Sequence, residues 1–280
     1  MERKIDIILP WVDGNDPKWQ KIKERYSDQE GDNRKERYRD FGLLKYWFRG
    51  IEKNMPWVRK IFLVTMDQIP EWLNKDNPRL VCIDHKDYLP KEYLPTFNSN
   101  AIEINLHRIK DLSEEFILFN DDIFVIDETK QEDYFIDGKP VDMLALQPVI
   151  ANDENEVMSY MFINNSIVIA RHFHKLENMK MQPKAYFNLR YPLQYFIYNN
   201  LERLWPKYTG FFTAHGPSPL LKSTLNKIWE IEPEVMDKTS RNRFRDRSDV
   251  NQYLIREYQK QTGDFVAKNI LKDFRYFDLG

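Results

Sequence analysis

A single cysteine, Cys82, is all this 280-residue chain contains. That excludes a disulfide framework and any cysteine-based zinc site within one chain. Within the apolar run Leu80-Val-Cys-Ile83 it reads as an inert core thiol. An excess of charge of one sign is also missing: 42 basic residues against 44 acidic ones leave a net charge of −2. No global field therefore favours nucleic acid. No apolar run approaches membrane-spanning length, Ile7-Ile-Leu-Pro-Trp-Val12 being representative. The start, Met1-Glu-Arg-Lys-Ile-Asp6, is charged but lacks an apolar stretch of signal-peptide length. Internal repeats, low-complexity tracts and Gly/Ser-rich linkers are absent. These absences predict a soluble, cytoplasmic protein without a transmembrane segment. What is plentiful is aromatic: seven Trp, fifteen Tyr and eighteen Phe within a 42% hydrophobic fraction exclude a disordered chain. The length suffices for a sizeable core, in one large domain or one with a subdomain.

The first two-fifths alternate strand-like and helix-like segments. Ile5 to Val12 reads as a strand, ended by the turn formers Asp13-Gly14-Asn15-Asp16-Pro17. Lys18 to Tyr26 reads as helix, Ser27 to Lys35 as a charged loop, and Tyr38 to Asn54 as an amphipathic helix. Lys60 to Thr65 and Leu80 to Ile83 are short buried strands, with a short helix at Ile69–Leu73 between them. Asn98 to Ile109 has helical spacing and leads to a strand at Phe116. This order predicts an α/β fold, a mainly parallel, Rossmann-like sheet flanked by helices on both faces. Beyond Val125, Tyr134 to Val141 reads as a hairpin turning at Asp137-Gly138, and Ile163 to Ala170 as a further strand. Ala185 to Leu204, Pro219 to Trp229 and Val250 to Gln261 read as helical. The organisation expected is a ligand-binding α/β domain over 1–170 and a helical portion over 171–280 that completes the site.

The most informative segment is Phe116-Ile-Leu-Phe-Asn120-Asp121-Asp122. An apolar run ending in an amide and two carboxylates puts the acids at the carboxyl end of a buried strand, where ligands gather in open α/β sheets. Desolvated carboxylates call for a cation, and Mg²⁺ or Mn²⁺ shares such ligands with substrate phosphates. A strand ending in a solvated turn would use the same residues. Trp11-Val-Asp13-Gly-Asn-Asp16 is either an ordinary turn or, through Gly14, a close approach to a nucleotide; it is neither a P-loop nor a dinucleotide fingerprint. In Asn98-Ser99-Asn100-Ala-Ile-Glu103 the amides suit a helix cap or a ligand contact, and Glu103 and His107, one turn apart, suit a metal pair or, more commonly, a surface ion pair. His215, between Ala214 and Gly216-Pro217, sits in a rigid loop suited to acid–base work or to plain exposure. Four arginines, Arg241, Arg243, Arg245 and Arg247, are concentrated enough to suggest a phosphate-bearing ligand. His172 and His174 read as surface residues at a strand end.

Four stretches also carry a resemblance. Ile5 to Pro17, Arg39 to Asp122, His215 to Lys222, and Thr239 to Gln252 resemble, in order, the four signature regions of the Stealth family of sugar-phosphate transferases. That family includes bacterial capsule and exopolysaccharide phosphotransferases and the animal lysosomal-enzyme GlcNAc-1-phosphotransferase; the compact chain is similar to the bacterial branch. The resemblance implies a GT-A-like nucleotide-sugar fold and transfer of a sugar-1-phosphate from a UDP-sugar to a hydroxyl of an acceptor glycan, free or lipid-linked, with UMP leaving. It implies that Asp121 and Asp122 hold Mg²⁺ or Mn²⁺ and that His215 and Arg245 lie at the reacting phosphate. Asp13, Arg49 and Asn100 are implied near the donor. Peripheral association with the inner face of the membrane is compatible with this reading. A metal-dependent glycosyltransferase releasing UDP and a non-catalytic polysaccharide-binding protein are the alternatives.

Overall fold

A computed structural model describes residues 3–150 and 157–277. Its first half runs β1 (Ile5–Pro10), α1 (Pro17–Glu24), α2 (Leu44–Asn54), β2 (Ile61–Thr65), β3 (Leu80–Asp84), α3 (Ser99–Glu103) and β4 (Glu115–Leu118). Three short strands follow, β5 (Phe135–Ile136), β6 (Lys139–Asp142) and β7 (Ala145–Leu146). Next come α4 (Met158–His172), α5 (Lys175–Met181), α6 (Pro183–Tyr186) and α7 (Leu193–Leu201). The chain continues through β8 (Phe211–Phe212), β9 (Ser218–Leu221), α8 (Lys222–Ile231), α9 (Pro233–Arg241), α10 (Gln252–Thr262) and β10 (Val266–Ala267).

The central sheet has the order β3-β2-β1-β4-β9, with the first four strands parallel and β9 antiparallel to β4. The expected α/β architecture is present, and its four apolar runs are the four parallel strands. Successive side chains of a strand face opposite ways, and both faces here are buried. Ile8, Phe62, Val64, Phe116 and Leu118 pack on one face against Leu225, Ile228 and Leu254 of α8 and α10. Ile7, Leu9, Leu63 and Ile117 pack on the other against Trp47 and Ile51 of α2. Strand β9 and helices from the last third of the chain thus complete one edge and one face of the sheet. The one charge inside β1, Asp6, is fully buried and takes hydrogen bonds from Arg59 Nε (2.8 Å) and the Ser113 amide (2.8 Å).

Several local expectations are corrected. Ile163 to Ala170 lies within α4: its β-branched residues suit a strand, but Met161, Asn165, Val168 and Ile169 recur at helical spacing and are buried. His172 is therefore the last residue of a helix, where it pairs with Glu232 at 2.8 Å, and His174 lies just beyond that end. Ile69–Leu73 forms only a turn, because so few residues cannot repay helix nucleation. The helix predicted from Tyr38 begins at Leu44, behind a 3₁₀ turn at Lys35–Tyr38, and the one predicted to reach Ile109 ends at Glu103. Only Leu193–Leu201 and Pro183–Tyr186 are α-helical within Ala185 to Leu204 and its approach. Pro219 belongs to the edge strand β9, where a missing amide donor is tolerated; the helix starts at Lys222. The hairpin turning at Asp137-Gly138 pairs Phe135 with Pro140 as expected.

Candidate active site

Strand order reverses beside β1: β2 and β3 lie on one side, β4 on the other. Such a switch point leaves a crevice beyond the carboxyl ends of the strands. A cavity of about 510 Å³ occupies it, lined by Trp11 and Val12 beyond β1 and by Asn120, Asp121 and Asp122 beyond β4. Ser99, Asn100 and Glu103 of α3 form one wall, and His215, Arg245 and Tyr253 close it from the C-terminal portion.

The loop before β9 carries His215 back to the acid pair. Its Nε2 is 3.2 Å from Asp122 Oδ2 and its Nδ1 is 3.3 Å from the Tyr253 hydroxyl. Packing fixes this loop: a Cβ on Gly216 would meet the Phe274 ring at 2.7 Å, and Arg256 Nη1 donates to the Ala214 carbonyl at 2.9 Å. The hydrogen bond between the two groups holds the Asp122 carboxyl below its ordinary range and raises the imidazole of His215. Asp121 behaves oppositely. Burial, then the neighbouring Asp122 charge, pushes its carboxyl up to about 6.

The four arginines are separated by the fold. Arg241 pairs with Asp237 at 2.7 Å, Arg243 Nη1 donates to the Pro95 carbonyl at 2.6 Å, and Arg247 lies 4.9 Å over the Tyr160 ring. Arg245 alone of the four lines the cavity. Its Nε and Nη2 both donate to Ser99 Oγ, at 3.2 and 2.7 Å. Burial lowers its guanidinium's affinity for the proton, and the nearby Glu103 works against that. Asp249 ties the segment down by accepting from the side-chain amides of Asn98 (2.9 Å), Asn100 (3.0 Å) and Asn242 (2.7 Å).

The remaining sequence-derived residues divide. Asn100 is on the cavity wall, but its amide donates to Asp249. Asp13 and Arg49 are not on the wall. Asp13 Oδ1 accepts from the Asn15 amide (2.8 Å) in its own turn, and its main chain is clamped by the Gln68 side chain. Arg49 is exposed on α2, 5.6 Å over the Tyr46 ring. The close approach at Gly14 is made by this chain itself: a Cβ there would lie 2.0 Å from the Tyr38 carbonyl oxygen. Glu103 and His107 form no pair, since the helix ends between them. Glu103 faces Arg245, with burial pushing its carboxyl up to about 7, while His107 lies against Trp229, ring centroids 5.8 Å apart. Sequence reasoning missed Tyr253 and Ser99 as cavity residues. Tyr253 is the second residue of α10, and only the return of α10 to the sheet brings it to His215.

No group of three or more His, Cys, Asp or Glu side chains among the described residues is arranged as a metal cage. The donor set fits the other mode of Mg²⁺ or Mn²⁺ binding, in which one or two carboxylates share the ion with phosphates and water. Asp121 is half-buried, its carboxyl is raised to about 6 by that burial and by Asp122, and no cation pairs with it among the described residues. Asp122 commits Oδ2 to His215, and its side chain stays open to the cavity.

A doubly wound sheet whose switch point holds an acid pair, an imidazole and a guanidinium is the framework of an α/β group-transfer enzyme. The chain belongs to the Stealth family. Residues 3–31 match Stealth protein CR1, conserved region 1, and residues 37–142 match Stealth protein CR2, conserved region 2. It is 38% identical over 273 residues to a capsular polysaccharide phosphotransferase, WcwK, of Streptococcus pneumoniae, covering 96% of this chain and 82% of that one. It is 38% identical to the receptor polysaccharide phosphotransferase WefC of Streptococcus gordonii, covering 96% and 81%. It is 40% identical to the exopolysaccharide phosphotransferase cps2G of Lactiplantibacillus plantarum, covering 93% and 77%.

Proposed function

We propose that this enzyme transfers a sugar-1-phosphate from a UDP-sugar to a hydroxyl of an acceptor glycan, on the cytoplasmic side of the membrane, in capsule or exopolysaccharide synthesis. The observation that carries the reading is the contact of His215 with Asp122 in the cavity that Arg245 also lines. The names of the relatives, all polysaccharide phosphotransferases, support the reaction class.

The acceptor oxygen forms a bond to the phosphorus bearing the sugar, the bond from that phosphorus to the bridging oxygen breaks, and UMP leaves. The sugar's anomeric C–O bond stays intact. His215 takes the acceptor proton at Nδ1, the acceptor hydroxyl replacing the long contact with Tyr253, while Nε2 donates to Asp122, which orients the ring and stabilises its charged form. Arg245, pinned by Ser99, offers its guanidinium to the charge on the transferring phosphate. Asp121 and Asp122 would hold Mg²⁺ or Mn²⁺, which would neutralise charge on the donor diphosphate.

The test is to incubate the purified chain with a panel of UDP-sugars, Mg²⁺ and acceptor glycan, and to identify the nucleotide released. UMP is expected, with the sugar phosphate appearing on the acceptor. Release of UDP with transfer of the bare sugar would assign a glycosyltransferase instead, and no turnover of any donor would favour a binding protein.

A further inference from the structure

The outer face of α7 is apolar and unpartnered. Leu193, Ile197, Leu201 and, just past the helix end, Leu204 are spaced to share one helical stripe. Leu193 is 73% exposed and Leu204 74%, and Leu189 and Trp205 beside the stripe are 84% and 51% exposed. The inner face is committed. Tyr195 lies on Phe212 with ring centroids 4.3 Å apart, and the Asn199 side chain holds the main chain of Leu144, Leu146 and Tyr186. The helix therefore cannot turn to hide its stripe.

Charge along the segment that carries the stripe is predominantly of one sign. Besides Lys175, residues 175–207 contain five basic residues, Lys180, Lys184, Arg190, Arg203 and Lys207, and two acids, Glu177, which is exposed, and Glu202. Glu202 is buried and paired with Lys175 at 2.5 Å. The five cations are exposed, and none forms an ion pair among the described residues. Apolar side chains with an interfacial Trp, rimmed by cations in a chain whose net charge is −2, complement an anionic lipid surface. A second copy of the chain fits less well, because a two-fold contact would set the same five cations against themselves. No helix among the described residues is long and apolar enough to cross a membrane, so the contact is a surface one.

We propose that the protein docks on anionic phospholipid through the outer face of α7 and the turn that follows it. Leu193, Ile197, Leu201, Leu204 and Trp205 enter the interface, and the five cations meet the headgroups. Docking does not depend on the reaction in the cavity. Its consequence for catalysis does rest on the reading above: Tyr195 packs on Phe212, three residues before His215, so the acceptor side of the cavity is held near the lipid.

Flotation of the full chain with phosphatidylcholine vesicles, with and without phosphatidylglycerol, tests this. Binding is expected only with phosphatidylglycerol and is expected to fall with added salt. Leu204→Ser with Trp205→Ser, and separately Lys184→Glu with Arg190→Glu and Lys207→Glu, should each weaken binding at least about tenfold. Circular dichroism and turnover of soluble substrates should be unchanged, because every one of these side chains is exposed and none lines the cavity. Failure of the wild-type chain to float with phosphatidylglycerol vesicles would overturn the proposal, as would wild-type flotation of the charge-reversed variant. A dimer in sedimentation that Leu204→Ser with Trp205→Ser dissolves would give the stripe to a second copy instead.

Discussion

His215 is half-exposed, yet it touches two groups 93 and 38 residues away in the chain, Asp122 and Tyr253. Its loop is fixed by Phe274 and Arg256 rather than by the imidazole, so removing the ring should spare the fold. His215→Ala is expected to lower turnover by about 10² to 10⁴-fold, as loss of a general base does, with the urea midpoint unmoved. Arg245→Ala should cost at least about 10²-fold. The other three arginines of the cluster are held at Asp237, Pro95 and Tyr160 and cannot substitute; wild-type kcat in the Arg245 variant would refute that. Asp121→Asn is expected to lose well over about tenfold in turnover. Full activity of the wild-type enzyme in EDTA, with metal removal verified, would remove the ion from the mechanism.

At the scale of elements, α10 joins the two halves of the molecule. Its cap, Asn251, accepts from the Tyr253 amide (3.1 Å) and from Asn165 Nδ2 of α4 (2.8 Å). Its Arg256 is buried and donates to both carboxylate oxygens of Asp142 in β6, each at 2.9 Å. Replacing one member of a buried pair leaves the other charge desolvated, which costs about 3–5 kcal/mol. Arg256→Met should therefore lower the free energy of unfolding by that amount in urea titration. Turnover should fall as well, since the same guanidinium holds the Ala214 carbonyl next to His215. Unchanged stability of the Arg256→Met variant would mean that Asp142 finds another partner.

For the whole molecule, buried histidines and buried carboxylates pull stability in opposite directions as pH falls. Burial lowers His85 from its ordinary 6.5 to about 4, against the opposing pull of Asp84, and lowers His107 likewise to about 4. The folded state keeps both rings neutral while the unfolded chain protonates them. Between about pH 6.5 and 4 these two rings bind protons in the unfolded chain first, so their contribution to stability falls as pH falls through that window. Glu103, raised by burial to about 7, and Asp121, raised to about 6, act in the opposite sense: their contributions are lost as pH rises above the ordinary carboxylate range. Comparing variant with wild type cancels those contributions. The urea midpoint of His85→Gln relative to wild type should rise as pH falls from about 6.5 to 4; a difference that does not change with pH would show that His85 is not the group titrating.

The apolar runs at Ile7, Ile61, Leu80 and Phe116 identified the parallel strands from sequence, because a strand buried on both faces is apolar along most of its length. The acid pair was legible for the same reason: Asp121 and Asp122 end such a run, and parallel strands leave their carboxyl ends at a crevice. Strand β9 was not legible, since Ser218–Leu221 acquires its extended form by pairing with β4. Nor was α4, whose β-branched residues favour a strand until packing against α10 overrides local preference. The donor-side readings of Asp13 and Arg49 came from signature position alone, and the clamp by Gln68 and the outward face of α2 set both apart from the cavity. Local pattern thus determined the scaffold and one half of the site. The meeting of His215 with Asp122 and Tyr253, and the arrival of Arg245 at the same cavity, were decided by chain return over long sequence separations, which depends on packing between faces that no local window contains.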